Sequence, residues 1–474
     1  MVISDEEKVR VETDSLGEMR VPESAYYGAS TMRAVLNFPV SGLVFSRSFI
    51  RALGLLKKSA ALANQELGLL SADRADAIVR AATEVIEGRL ASEFVVDIFQ
   101  TGSGTSTNMN ANEVIANRAN ELLGQPRGTK APVHPNDHVN CGQSSNDVIP
   151  TVMHIAAAVD ITSSLLPAAR ELVQALSAKG EELFSVIKTG RTHLQDATPI
   201  RMGQEFAGFA GSMERATTQC ESALPRLYEL ALGGTAVGTG VNTHPEFASR
   251  VIARIAKETG LAFRESDNHF QAQSTLDGYV VASAALRGLA LSLNKIACDL
   301  RLMGCGPRAG FAEITIPAVQ PGSSIMPGKV NPVILESATM VVAQVVGNDA
   351  TIAMANAGGS ILELNVMMPV AAYNLLQSTG LLANVIRLVS EKVIPGITAT
   401  EAGPASVDRA LMTCTALAPR IGYDAAAALA KKAFAENSTI RQVALRETSL
   451  TEEELKTLLD PEAMTKPGAR LGEG

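Results

Sequence analysis

Between Tyr279 and Met303, apolar residues recur at alternating spacings of three and four: Tyr279, Ala282, Leu286, Leu289, Leu293, Ile296, Leu300 and Met303. On an α-helix this spacing gathers all of them on one narrow stripe, and a stripe sustained over several heptads packs lengthwise against other helices. At ~1.5 Å per residue, such a helix spans roughly 35–40 Å. Residues 151–179 repeat the pattern with Val152, Ile155, Val159, Leu166, Ala169, Val173 and Leu176, and Pro167 predicts a kink. Residues 201–232 and 332–357 are also long and apolar-rich; in 361–393, Pro369 must bend or break the helix. Five such helices in succession predict an all-α chain built on a long central bundle. Their apolar faces are broad enough that association into an oligomer is expected.

The flanks read differently. Val9, Val11, DSLGE, Met19 and Val21 read as a short hairpin. Residues 46–90 read as helical with a break at Gly68–Ser71, and a helix is expected to resume near Glu113. Residues 125–148 are irregular, with Pro126, Pro132, Pro135 and Gly142, and suggest a boundary. After Pro395-Gly396 shorter helices are predicted over Ser406–Thr415, Asp424–Glu436 and Thr451–Leu459. The expected domains are therefore a mostly helical 1–143, a long-helix bundle over 144–397 and a small helical 398–474.

Net charge is −8, which argues against nucleic acid as the main partner but leaves room for a locally positive site that binds a small anion. Five scattered cysteines without CxxC fit reduced thiols, and predict neither a disulfide framework nor a zinc site. The start, MVISDEEKVRVETD, has no apolar core of a signal peptide. No apolar run reaches membrane-spanning length, Arg287 and Asn294 interrupting the best candidate. A soluble cytoplasmic protein that binds no membrane is the default expectation.

Four polar stretches interrupt the helices: Thr101–Asn108, Val133–Asp147, Gly190–Pro199 and the loop Gly322–Pro332. The last, GSSIMPGKVNP, is not a nucleotide-binding P-loop, because five residues separate Gly322 from Gly328 and Val330 follows Lys329. Its bland reading is a polar helix connector; its functional reading is a catalytic loop on a rigid scaffold. Ser, Thr and Asn side chains with one Lys suit small carboxylates held by several hydrogen bonds. His193 is either structural or functional, and Asp196 is either its partner or a helix N-cap. His134-Pro135-Asn136-Asp137 reads equally as a turn. Ser144–Asp147 could cap a helix beginning near Val148, a role compatible with anion binding. GGTAVGTG (Gly233–Gly240) lacks dinucleotide-binding spacing and reads as a loop closing a helix. No metal-ligand cluster is recognisable.

The loop, with TGSGTSTNMNANEV, VHPNDHVNCGQSSND, GRTHLQDATP and GGTAVGTGVNTHPE in that order, resembles the aspartase/fumarase superfamily over nearly its full length, and most closely its class II fumarate hydratases. The resemblance implies reversible hydration of fumarate to L-malate through an aci-carboxylate, without a cofactor or metal. It implies Ser323 as the base at carbon, Lys329 and Asn331 as holders of the enolised carboxylate, and His193 paired with Glu336 at the water. Ser103, Thr105, Ser144, Ser145, Asn146 and Thr192 would bind the substrate carboxylates. His134, Asn136 and Asp137 would form an accessory dicarboxylate site. The family's homotetramer brings twenty helices into one core and shares each active site among three subunits. The alternative on the same scaffold is an aspartate ammonia-lyase, to which GPRAG (Gly306–Gly310), His193-Leu194-Gln195-Asp196 and LELNVMMPV lean. Ser144–Asp147, Ser103 and the His134-Pro135-Asn136-Asp137 turn lean to fumarase. Cys141-Gly142 and Ala418-Pro419-Arg420 depart from the family pattern.

Overall fold

The computed structural model describes residues 8–468; the first seven residues, on which part of the signal-peptide reading rests, lie outside this range. The chain is all-α with short two-stranded pairings, and it divides into two compact units.

The first unit combines the chain up to Pro167 with Thr218–Ala290 and Ala343–Ala383. The expected hairpin is present as β1 (Val9–Asp14) and β2 (Gly17–Pro22), antiparallel with Val9 opposite Pro22. After α1 (Ala29–Asn37), α2 (Arg47–Glu66) and α3 (Ala72–Glu87) flank the predicted break, where Gly68 takes φ 71°. The next helix, α4 (Thr105–Leu122), starts well before Glu113, which corrects the expected boundary. Hydrogen bonding explains the difference. Thr107 pairs with Gln100, Asn110 bonds Glu93 O at 2.9 Å, and buried Glu113 accepts the N–H groups of Gly28, Ser30 and Thr31. Thr107, Asn110 and Glu113, which would otherwise disfavour a buried helix, are thereby satisfied inside one.

Helix α5 (Ser145–Asp160) runs through a π-turn over Ile161–Leu165 into α6 (Leu166–Glu182). The irregularity predicted at Pro167 is this π-turn just before it, since Pro167 has no N–H to continue the ladder. Helices α7 (Met202–Leu227), α8 (Phe247–Thr259), α9 (His269–Ser274), α10 (Asp277–Met303), α11 (Val333–Gly359) and α12 (Met368–Lys392) follow. All the seam residues from Tyr279 to Met303 are buried. Pro369 does not bend the last long helix: it sits in its first turn, where the missing N–H costs nothing, and Ser360–Asn365 form a tight pairing before it. Within the first unit, buried polar contacts tie these helices. Tyr279 Oη donates to Met153 O at 2.7 Å, Ser283 donates to Asp349 at 2.7 Å, and Asn348 Nδ2 donates to Ser378 at 2.9 Å.

The second unit combines Ala168–Thr217, Leu291–Val342 and the chain from Asn384. It contains the antiparallel hairpin β3 (Ile187–Thr192) and β4 (Gln195–Arg201). Beyond the long helices come α13 (Ala402–Val407), α14 (Ala418–Ile421), α15 (Tyr423–Ala435), α16 (Ile440–Glu447) and α17 (Glu452–Leu458). The expected helix over 406–415 is instead the end of α13 and a 3₁₀ stretch over Leu411–Leu417. Ser406 turns its hydroxyl onto Gly403 O and Thr413 onto Ala410 O, local bonds that compete with helix continuation. Leu417, Leu429, Ala433, Ile440, Val443 and Leu455 give this segment its own small core.

Contrary to the expectation from apolar runs, three helical stretches are long and apolar enough to cross a membrane: Ser145–Glu182, Asp277–Met303 and Val333–Gly359. Arg287 and Asn294 do not lower the mean of their helix enough to exclude it, because the seam and the Ala/Leu-rich flanks outweigh them. In the first of these stretches 67% of the most apolar window is already buried within the chain.

Candidate active site

The polar stretches form two groups, one in each unit. In the first unit, the TGSG turn and the start of α5 meet in a chain of neutral groups. Ser103 Oγ lies 2.8 Å from Thr105 Oγ1, which lies 2.8 Å from Ser145 Oγ. Ser145 Oγ reaches Asn146 Oδ1 at 3.4 Å, and Asn146 Nδ2 is anchored on Ala236 O at 2.8 Å. Backbone fit explains the glycines: a Cβ on Gly102 would stand 1.8 Å from Val366 O, and Gly104 caps α4 at φ 71°.

Ser144 and Asp147 form a capping box at the start of α5, as the sequence allowed, although the helix begins at Ser145 and not near Val148. Asp147 is fully buried and accepts N–H groups from Ser144 (2.9 Å), Gly233 (3.1 Å) and Thr235 (2.9 Å). Burial pushes its pKa up, and those three N–H donors and the nearby Lys57 pull against the shift. The GGTAVGTG loop therefore does more than close a helix: it packs against the helix start that carries Ser144, Ser145 and Asn146.

His134, Asn136 and Asp137 are also in this unit, at a π-turn over Pro135–Val139. His134 Nδ1 accepts from the N–H groups of Asn136 and Asp137, each at 3.2 Å, so the imidazole caps the turn it begins. Thr13, Lys130 and Met109 line a small cavity beside His134 and Asn136.

In the second unit, Thr192 and Gln195 close the β3–β4 pairing, leaving His193 and Leu194 as a two-residue loop. Both have positive φ, 56° and 58°, the backbone of a type I′ turn. That turn favours Asn or Gly, so an exposed His–Leu pair stores strain of the kind found at functional positions. Asp196 lies in β4 opposite Arg191, not at a helix N-cap. Behind the turn, Lys188 is nearly fully buried between Glu205 (3.0 Å) and Glu313 (2.6 Å). Arg191 also pairs with Glu313 at 2.6 Å, and its guanidinium lies 4.2 Å above the Phe311 ring.

The loop Gly322–Pro332 is in the same unit and folds on itself. Gly322 N–H donates to Lys329 O at 2.9 Å, and Asn331 Nδ2 donates to Gly322 O at 2.7 Å. At its turn, Ser323 Oγ accepts from the N–H groups of Ile325 (3.2 Å) and Met326 (2.9 Å). Two amide dipoles aimed at one serine oxygen favour its anionic form. Lys329 is exposed, and Glu336 sits half-buried in the first turn of α11. Within one chain no hydrogen bond or ion pair joins His193 to Glu336 among the described residues. Sequence reasoning missed Lys57, Lys188 and Glu313. Their only signal was a charge inside an otherwise apolar or β-like run.

Comparison with known proteins follows the same lines. A lyase family model matches residues 17–347, and a fumarase C C-terminal model matches residues 414–466. The chain is 54% identical to a class II fumarate hydratase of Halobacterium salinarum, over 98% of this chain and 99% of that protein. It is 50% identical to one from Pseudomonas aeruginosa, over 97% and 99%. Among solved structures, a class II fumarase from Schistosoma mansoni superposes with a TM-score of 0.94 at 39% identity, covering 97% of this chain and all of that one. A fumarate lyase from Brucella melitensis, bound to cobalt, gives 0.92 at 44% identity, with 97% and 100% covered.

Proposed function

Because the chain belongs to the lyase family, within its class II fumarate hydratases, we propose that it interconverts fumarate and L-malate by addition and elimination of water. The observation that carries the chemistry is Ser323 Oγ, which accepts two backbone N–H groups and so has its anion stabilised before substrate arrives.

In the malate-to-fumarate direction, the Ser323 alkoxide takes the proton from the carbon beside a carboxylate. The electron pair moves into that carboxylate and gives an aci-carboxylate dianion, which Lys329 and Asn331 hold. His193, oriented by Glu336, gives a proton to the departing hydroxyl, which leaves as water. Thr105, Ser144, Ser145, Asn146 and Thr192 hold the two carboxylates, with Ser103 supporting Thr105 through the hydroxyl chain. The positive end of the α5 backbone favours the anion at Ser144–Asn146. His134, Asn136 and Asp137 form an accessory dicarboxylate site.

The active form is a homotetramer whose sites each draw on three subunits. The exposed Ile325 and Met326 at the tip of the loop support this reading, and among the described residues of one chain no hydrogen bond or ion pair joins His193 to Glu336. The residues of the long helices that the chain leaves uncovered form the shared core. The protein acts in the cytoplasm. In the test, purified protein is assayed side by side with L-malate and L-aspartate, without added metal. Fumarate from malate is the expected result; fumarate from aspartate alone would reassign the protein as an ammonia-lyase.

A further inference from the structure

Lys57 lies in the middle of α2 and is fully buried. Burial pushes its pKa down to about 7, against the pull of Asp147. No carboxylate lies within ion-pair distance of it among the described residues. Its ammonium instead donates to two neutral oxygens, Asn140 Oδ1 at 3.0 Å and Gln143 Oε1 at 2.9 Å. A buried cation without a direct counter-ion is costly, and an apolar side chain of the same length would fill the space more cheaply. Core packing therefore does not account for it.

What Lys57 holds does. Asn140 and Gln143 bound the turn that leads directly into Ser144. Asn140 Oδ1 also accepts from Asn108 on α4 at 3.1 Å, and Asn140 Nδ2 donates back to Gln143 O at 3.0 Å. Asn64, two turns along α2, donates to Cys141 O at 3.0 Å. The turn is thus fastened to α2 at three of its four residues, and the ammonium makes two of those bonds. Charge-assisted bonds of this kind are roughly twice as strong as neutral ones.

We propose that Lys57 is a positioning residue for the hydration reaction: through Asn140 and Gln143 it sets the Ser144–Asn146 helix start in the geometry that receives a substrate carboxylate. The inference rests on the assignment of Ser144–Asn146 to substrate binding. It predicts an effect on substrate capture more than on the chemical step. The reacting groups Ser323 and His193 belong to the other group of residues.

The test measures fumarate hydration and thermal unfolding for wild type, Lys57→Met, Asn140→Leu, the double variant and Asn146→Ala. Lys57→Met keeps an unbranched apolar stem, one heavy atom shorter, and removes the donor. Lys57→Met and Asn140→Leu are each expected to raise KM about tenfold with kcat changed less than about threefold. The double variant should cost less than the sum of the singles, because both cut the Lys57–Asn140 bond. Lys57→Met should lose some thermal stability, since Gln143 Oε1 is left without that donor, so KM is compared on protein shown to be folded. If Lys57→Met does not fold, Asn140→Leu carries the same KM prediction from the other end of the bond. An unchanged KM in Asn140→Leu and in a folded Lys57→Met, with KM raised in Asn146→Ala, overturns the inference alone. An unchanged KM in Asn146→Ala overturns the carboxylate assignment on which it rests. A fall of kcat and melting temperature together at unchanged KM would make Lys57 merely structural.

Discussion

Ser323 and His134 make opposite uses of the same local device, a side-chain atom that accepts two backbone N–H groups. In the proposed mechanism the Ser323 acceptor is the reacting oxygen, and the amides would lower the cost of its negative charge. Ser323→Ala should therefore reduce kcat by at least about a hundredfold, in the range of lost general-base catalysis, while its mass by light scattering stays that of the wild type. Near-normal turnover would remove Ser323 from the mechanism. In His134 the acceptor is Nδ1, and the bonds cap a turn. Asparagine can accept the same N–H groups, so His134→Asn should leave most of the turnover in a steady-state malate assay. A collapse of activity would mean that His134 touches the reacting substrate.

At the scale of elements, long periodic stretches were legible and short polar ones were not. The seam of α10 could be read because eight apolar positions repeat one spacing, and every one is buried. The hairpin β3–β4 could not, because its turn is His–Leu in place of Asn–Gly, and its strands carry Lys188 and Arg191 where a pattern needs apolar residues. Those charges are neutralised by Glu313, more than a hundred residues away, and no local rule reports such a partner. The early start of α4 was hidden for the same reason: the partners of Asn108 and Asn110 lie outside the helix. Helix α16, by contrast, opens on a Thr439–Gln442 capping box that the sequence displays openly. The equivalent box at α17 gives a clean check. Thr451 accepts from Glu454 N–H, and Thr451→Ala should cost about 1 kcal/mol of stability in denaturant unfolding. Fumarate hydration should be unaffected; a matching loss of kcat would tie the C-terminal helices to catalysis.

At the scale of the whole molecule, the proposal that each site draws on several chains can be tested directly. Met340, Val346 and Met354 on α11, and Val281 and Leu291 on α10, remain exposed on helices whose opposite faces are fully buried. In the proposed tetramer, covering them would drive assembly, and assembly would bring His193 of one copy to Ser323 of another. Ser323→Ala and His193→Asn should each be inactive alone. When the two variants are co-expressed in equal amounts, a site works if its Ser323 comes from a His193→Asn chain and its His193 from a Ser323→Ala chain. Random assembly of a closed oligomer makes that combination in about a quarter of the sites, so about a quarter of wild-type kcat should return. If both residues of a site came from the same chain, every site would carry one defect and no activity would reappear. The fraction recovered therefore reads out the architecture of the site, independently of which dicarboxylate the enzyme prefers.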